Sequence, residues 1–116
     1  MHDQQALGIV RSPQWRKLRQ RWLASHPTCA ACGRRDNLNV HHIVPVHIDP
    51  SRELDDTNLL TLCEHGTLNC HLWVGHLGEW VDINRQVLAT VADEFLRLLV
   101  SGNWPVPVVA GPSEQP

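Results

Sequence analysis

Leu38-Asn39-Val40-His41-His42-Ile43-Val44-Pro45 is the stretch on which the fold turns. Apolar and polar residues alternate along it, Val and Ile are β-branched, and Pro45 has no amide with which to continue a ladder. It reads as a strand that Pro45 closes. Side chains alternate along a strand, so an undistorted strand sends the two imidazoles to opposite faces. One can meet a metal while the other meets a different partner. Downstream, residues 46–57 form a polar loop rich in Asp, Pro and Ser. Leu59-Leu60-Thr61-Leu62 is then a second short strand that runs into Cys63. Upstream, Cys29-Ala30-Ala31-Cys32-Gly33 is a tight turn. Beyond Cys70, a helix is expected from about His71 to Val81, with Trp73, Leu77, Trp80 and Val81 as its apolar, core-facing stripe.

Two further helices flank this centre. Ser12 as N-cap and Pro13 at the first helical position open one, with Trp15, Leu18, Trp22 and Leu23 as its stripe, and His26-Pro27 ends it. Asn84 is the expected N-cap of the other, Val87, Leu88, Val91, Phe95, Leu98 and Leu99 keep helical spacing, and Gly102 can end it. Asp93 and Arg97 form an expected i, i+4 pair. Residues 1–10 read as a flexible lead-in, 11–102 as one domain and 103–116, with four prolines, as an extended or disordered tail. The 116 residues fit a single domain, and a chain this short with one Phe and no Tyr gains from a cross-link. No apolar run approaches the ~20 residues of a membrane span. The N-terminus lacks the cationic start and apolar core of a secretory signal. A soluble, intracellular (cytoplasmic) protein is expected, and its four Cys are then expected as thiols or metal ligands.

The formal charge of −2 argues against a protein that coats nucleic acid by bulk charge. Its distribution is uneven, however: seven basic residues and no acid lie between Arg11 and Arg35. Arg16, Lys17, Arg19, Arg21, Arg34 and Arg35 are candidate phosphate contacts, and nine Arg against one Lys suits bidentate phosphate pairing. A merely solvated helix face is the competing reading. Nothing announces base readout in a groove.

Cys29-x-x-Cys32-Gly33 has the shape of a zinc knuckle, whose turn brings two thiolates to one metal. Cys63 and Cys70 would complete a closed, structural four-thiolate site whose binding energy becomes folding energy. Six residues separate this second pair. His65 replacing Cys70 as fourth ligand, or four unrelated buried cysteines, are the alternatives. A redox Cys-x-x-Cys would need a βαβ pattern that is missing.

In order, Cys29-x-x-Cys32, Val40-His41-His42-Ile43-x-Pro45, Asn58-Leu59-x-x-Leu62-Cys63 and Cys70-His71 resemble the HNH endonucleases, over roughly Trp15 to Trp80. The resemblance implies an α+β fold: a small ββα-metal core braced by a structural Zn2+, here with flanking N- and C-terminal helices. It implies that His41 and His71 hold a catalytic divalent ion (Mg2+, Mn2+ or a transition metal). His42 is then the general base that deprotonates water, Asn58 orients that base through the hairpin, and DNA is the partner. Family members leave 5′-phosphate and 3′-hydroxyl ends. The chemistry is coherent with imidazole, whose ordinary pKa of ~6.5 lets it take a proton near neutrality.

On an ideal helix His71, Gly75, Gly78 and Asp82 share a face, and the small residues would let the hairpin approach. His76, about 140° away at roughly 3.6 residues per turn, joins the metal only if the helix is short or bent. It is a secondary candidate, with a partly buried histidine as the bland reading. His2, His26 and His47 read as surface residues. A non-catalytic zinc module that binds nucleic acid or protein is the competing function. A serine hydrolase is remote, since no GxSxG is present.

Overall fold

The computed structural model describes residues 11–64, 69–79 and 82–107. The lead-in at 1–10, the end of the tail at 108–116, His65 and the stripe residues Trp80 and Val81 lie outside the described residues. The architecture is α+β: helix α1 (Trp15–Ser25), strands β1 (Leu38–His42) and β2 (Leu59–Cys63), a single helical turn at His71–Gly75, and helix α2 (Val87–Val100).

The two strands form an antiparallel hairpin in which Leu38 faces Cys63, Val40 faces Thr61 and His42 faces Leu59. Its connecting loop contains two short 3-10 turns. Asp49 caps the first by accepting from the Ser51 amide (3.2 Å), and Asp55 caps the second by accepting from the Thr57 amide (3.0 Å). Asp side chains that bond their own backbone two residues on make such turns without glycine.

Helix α1 begins at Trp15, two residues beyond the proline expected to open it. Ser12 forms the preceding turn, its carbonyl accepting from the Trp15 amide (3.0 Å) and its hydroxyl from the Gln14 amide (3.2 Å). The expected stripe of Trp15, Leu18, Trp22 and Leu23 is half-buried, so the helix lies on the hairpin by one edge. Trp22 Nε1 donates to Thr61 Oγ1 (3.0 Å), which donates to the His26 carbonyl (2.9 Å), tying the end of α1 to β2.

The helix expected over 71–81 is a single turn. Its winding is wider than α, of the i→i+5 type that occurs as short pieces at functional sites. Leu77 (φ 55°) and Gly78 (φ 88°) then turn the chain left-handed, and the Gly78 amide donates back to the Leu72 carbonyl (2.9 Å). The expected stripe is therefore broken. Trp73 is 63% exposed and Leu77 54%, while Val74 and Gly75 face inward. Trp73 covers Gly78, where a Cβ would sit 2.8 Å from the indole.

Helix α2 buries Val87, Val91 and Leu98, but Leu88 and Leu99 are about half exposed, so its buried stripe is narrower than the spacing implied. Its N-cap is Gln86. Asn84, expected there, instead bridges elements: its Oδ1 accepts from the Gln86 amide (3.0 Å), and its Nδ2 donates to the Val74 carbonyl (2.8 Å) and to Thr90 Oγ1 (3.0 Å). Arg97 pairs with Glu94 (2.7 Å), one residue closer along the helix than the expected Asp93. Gly102 (φ 79°) ends α2, with the Asn103 amide reaching back to the Leu98 carbonyl (2.8 Å).

The core is built around sulfur: Cys29, Cys32, Cys63 and Cys70 pack with Ala31, Leu62, Val74, Val87, Val91 and Leu98. The chain after α2, expected to be a tail from residue 103, docks on this core as far as it is described. Trp104 Nε1 donates to the Ala31 carbonyl (3.2 Å), the Val106 amide donates to the Cys32 carbonyl (2.8 Å), and the Trp104 indole meets Phe95 edge-on. Gly33 (φ 82°) is required twice over, since a Cβ there would lie 2.6 Å from Pro105 Cβ. No helix among the described residues is long and apolar enough to cross a membrane.

Candidate active site

The four cysteines converge. Their sulfurs all lie within 4.8 Å of one another, all four residues are buried, and Cys32 Sγ is 3.6 Å from Cys63 Sγ. Cys70 supplies the fourth corner, although six residues separate it from Cys63. The thiols perturb each other strongly: Cys29 is held well below the ordinary thiol range, chiefly by its hydrogen bond with Cys32. Cys70 is pushed up, chiefly by its hydrogen bond with Cys29. Four buried thiols this close cannot all ionise without a cation among them. A four-sulfur donor set at this spacing is compatible with a structural zinc ion.

A second cluster is formed by β1 and the His71–Gly75 turn. His41, His71 and His76 are all buried and bring one nitrogen each to within 4.8 Å of the others, with ring centroids 4.9–5.1 Å apart. The wide turn is what recruits His76. An i, i+5 pair diverges on an α-helix, but winding of the i→i+5 type returns it to the same side. Gly75 lets β1 approach, since a Cβ there would lie 3.1 Å from the His41 ring and 3.2 Å from Leu62 Cδ1. Gly78 and Asp82, expected on that same face, do not continue it, because the helix stops before them. The remaining ring nitrogens are anchored. His71 Nδ1 is 2.6 Å from a Glu64 carboxylate oxygen, and His76 Nδ1 is 2.9 Å from the Asp82 carbonyl. A carbonyl only accepts, so His76 Nδ1 carries the proton and Nε2 is its basic nitrogen. The Nε2 atoms of both are sealed from solvent. Three convergent imidazoles are a donor set for a divalent transition metal.

His42, one residue from His41, is buried on the opposite face. Its ring sits 4.6 Å from the Trp15 ring of α1, and its Nε2 donates to the Glu53 carbonyl (2.9 Å). That bond leaves Nδ1 as the basic nitrogen. Arg11, whose guanidinium lies 4.7 Å above the Trp15 ring, approaches this Nδ1 with Nη1 at 3.4 Å. Glu53 also binds the N-terminal segment, its carboxylate accepting from the Ser12 amide (2.9 Å).

Asn58 is wholly buried and acts at one remove from His42. Its Oδ1 accepts from the Val44 amide (2.7 Å), and its Nδ2 donates to the carbonyls of Val44 (3.0 Å) and Arg52 (3.3 Å). It thereby closes the loop whose next carbonyl, that of Glu53, holds the His42 ring.

The basic residues divide. Arg16, Lys17 and Arg21 are exposed and line a groove of about 470 Å³ against Leu54, and Arg35 is exposed as well. Arg19 is half-buried and donates to Asn39 Oδ1 (3.0 Å). Arg34, expected among the phosphate contacts, is only 2% exposed. Its carbonyl accepts from the Cys29 amide (2.8 Å), and its Nε is 3.9 Å from Asp36. The knuckle turn folds it inward, so it presents no guanidinium to a ligand at the surface.

Reading the sequence missed Glu53 and Glu64, and it placed Arg11 only at the head of the basic stretch, with no link to His42. Glu64 carried a signal, because it directly follows β2 and its amide pairs with the Asn37 carbonyl just before β1 (2.7 Å), extending the hairpin beyond the cysteine. For Arg11 and Glu53, tens of residues or a loop from their partners, no local pattern pointed to the site.

Residues 29–75 match the family model described as HNH endonuclease. No curated protein and no solved structure matches the chain. The matched span contains the four cysteines, His41, His42, Asn58 and His71, and it stops one residue short of His76. A two-stranded hairpin followed by a helical turn, with imidazoles gathered between them and a cysteine cluster behind, is the corresponding ββα architecture. Over residues 29–75 the chain is thus similar to the HNH endonucleases in both sequence and ββα architecture.

Proposed function

We propose that the protein is a metal-dependent endonuclease that hydrolyses DNA phosphodiester bonds, with His42 as general base. The observation that carries this is the division of labour across β1. His41 turns to the three-imidazole cluster, while the adjacent His42 is held by the Glu53 carbonyl with Nδ1 as its basic nitrogen. A scaffold needs only the cysteines; it has no use for a second buried donor set beside a positioned imidazole.

His42 Nδ1 takes the proton of the attacking water, and Asn58 keeps the loop that orients this ring in place. His41, His71 and His76 would hold the catalytic divalent ion, which would supply positive charge for the phosphoryl oxygen and the leaving 3′ oxygen. Imidazole donors favour a transition metal over Mg2+. Arg11, beside the basic nitrogen, contributes a guanidinium where the phosphate must lie. Arg16, Lys17, Arg21 and Arg35 contact the phosphate backbone on either side, through charge and without base readout. The cysteine cluster takes zinc as a structural brace.

Nicking of supercoiled plasmid across a panel of Mg2+, Mn2+, Co2+, Ni2+ and Zn2+ tests the reading. His42→Ala should lose activity by about 10²–10⁴-fold, the usual worth of a general base, with folding and zinc content retained. Unchanged cleavage by that variant would sink the assignment.

A further inference from the structure

Three hydrogen bonds run from the surface of α1 to the imidazole cluster. Arg19 Nη2 donates to Asn39 Oδ1 (3.0 Å), Asn39 Nδ2 donates to Glu64 Oε2 (2.8 Å), and the same carboxylate oxygen lies 2.6 Å from His71 Nδ1. Each link comes from a different element: α1, β1, and the residue directly after β2. His71 is 3% exposed, and the carboxylate is half-buried.

We propose that Glu64 is the positioning residue of the metal centre, held in its working geometry by Asn39 and Arg19. The inference rests on the reading of His41, His71 and His76 as ligands. An ionised carboxylate accepts hydrogen bonds and donates none, so the 2.6 Å contact requires the proton of His71 to sit on Nδ1. That selects the tautomer in which Nε2 is the ligand atom, and it makes that nitrogen more basic, as carboxylate–histidine pairs do at metal sites. The charge matters as well. Three neutral imidazoles would leave a buried divalent cation uncompensated by its own ligands, and Glu64 places one negative charge directly behind one of them. Asn39 prevents this carboxylate from rotating away, because its amide is itself fixed at the carbonyl end by the Arg19 guanidinium. Arg19 is thus an internal support; its sequence position in the basic stretch had marked it for phosphate.

Calorimetric titration of Co2+ into the zinc-loaded protein reads the centre without catalysis. His71→Ala establishes that the titrated site is the histidine cluster. Glu64→Ala and the isosteric Glu64→Gln should each weaken Co2+ binding by about 10–100-fold, the range for lost outer partners of a ligand histidine. Asn39→Ala should weaken it less. Zinc content of one per chain and the far-ultraviolet circular dichroism of Glu64→Gln should match wild type, showing that the hairpin is intact. Co2+ affinity within about twofold of wild type in both Glu64 variants, with binding abolished in His71→Ala, overturns the proposal and leaves the metal-centre reading standing. Co2+ binding that His71→Ala does not change overturns both.

Discussion

Asn58 is placed to serve the proposed catalysis by closing a loop, without touching the reacting groups. It is fully buried and spends its carboxamide on the Val44 amide and on the Val44 and Arg52 carbonyls, so the whole loop between the strands closes around it. In Asn58→Ala these buried partners lose their bonds, at about 1–3 kcal/mol for each one left unsatisfied. The expected outcome is a lower urea midpoint together with reduced kcat. Because His42 loses its orientation through the Glu53 carbonyl, kcat should fall more than KM rises. A variant that unfolds earlier yet cleaves at the wild-type rate would show that Asn58 supports the loop alone. Asp55, which caps the turn leading into Asn58, has its carboxyl held below the usual carboxylate range, chiefly by hydrogen bonding from the Thr57 hydroxyl. Its support for the loop is therefore present above the unfolded carboxyl pKa and is lost as pH falls through the lower folded value.

At the scale of elements, the decisive feature is the His71–Gly75 turn. An α-helix through Val81 would have carried His76 away from His41 and turned Trp73 and Leu77 inward. The wider turn does the reverse, leaving both apolar side chains exposed and all three imidazoles together. Gly75 is the contact point of this turn with β1. Gly75→Ala would place a methyl 3.1 Å from the His41 ring, so the turn and strand must move apart by a few tenths of an ångström. The expected outcome is weaker Co2+ binding by calorimetry, with zinc content unchanged because the added methyl meets His41 and Leu62 and no cysteine. Equal loss of both metals would mean that Gly75 holds the fold as a whole.

For the whole molecule, the question is what a chain with so small a core uses in place of bulk burial. Among the described residues, four of the core cluster's ten buried residues are cysteines, and α2, the knuckle and the Trp104–Val106 segment all pack on this cluster. In small zinc domains the metal contributes on the order of 10 kcal/mol to folding, comparable with the ~5–15 kcal/mol that holds an ordinary domain together. Stripping zinc with a strong chelator should therefore abolish the cooperative thermal transition, as read by circular dichroism, and restoring zinc should recover it. Acid acts in the same direction. Protons compete with the metal for thiolates, so zinc retention and stability should fall together as pH is lowered. A metal-free protein that still melts cooperatively at the same temperature would assign the cohesion to the apolar residues.

The hairpin, the knuckle and the opposite facing of His41 and His42 were legible in the sequence because each rests on a local rule, strand alternation or the Cys-x-x-Cys turn. The strand itself stops at His42, before the Ile43 and Val44 expected to continue it to Pro45. The fourth sulfur was legible as chemistry, although its six-residue spacing left the partner open between Cys70 and His65. The C-terminal segment read as a tail because its contacts are with Ala31 and Cys32, about seventy residues earlier, and no periodicity records such a contact. Arg34 and Arg19 read as surface charge because side-chain direction depends on how the knuckle and α1 pack. His76 depended on whether a helix would wind as α or wider, which two left-handed residues and the approach of β1 decide. Sequence alone thus determined which residue types and short-range turns the site is made from. Only the tertiary structure decided which imidazoles meet, which arginines reach solvent and which carboxylate stands behind the imidazole cluster, because those depend on packing between elements far apart in the chain.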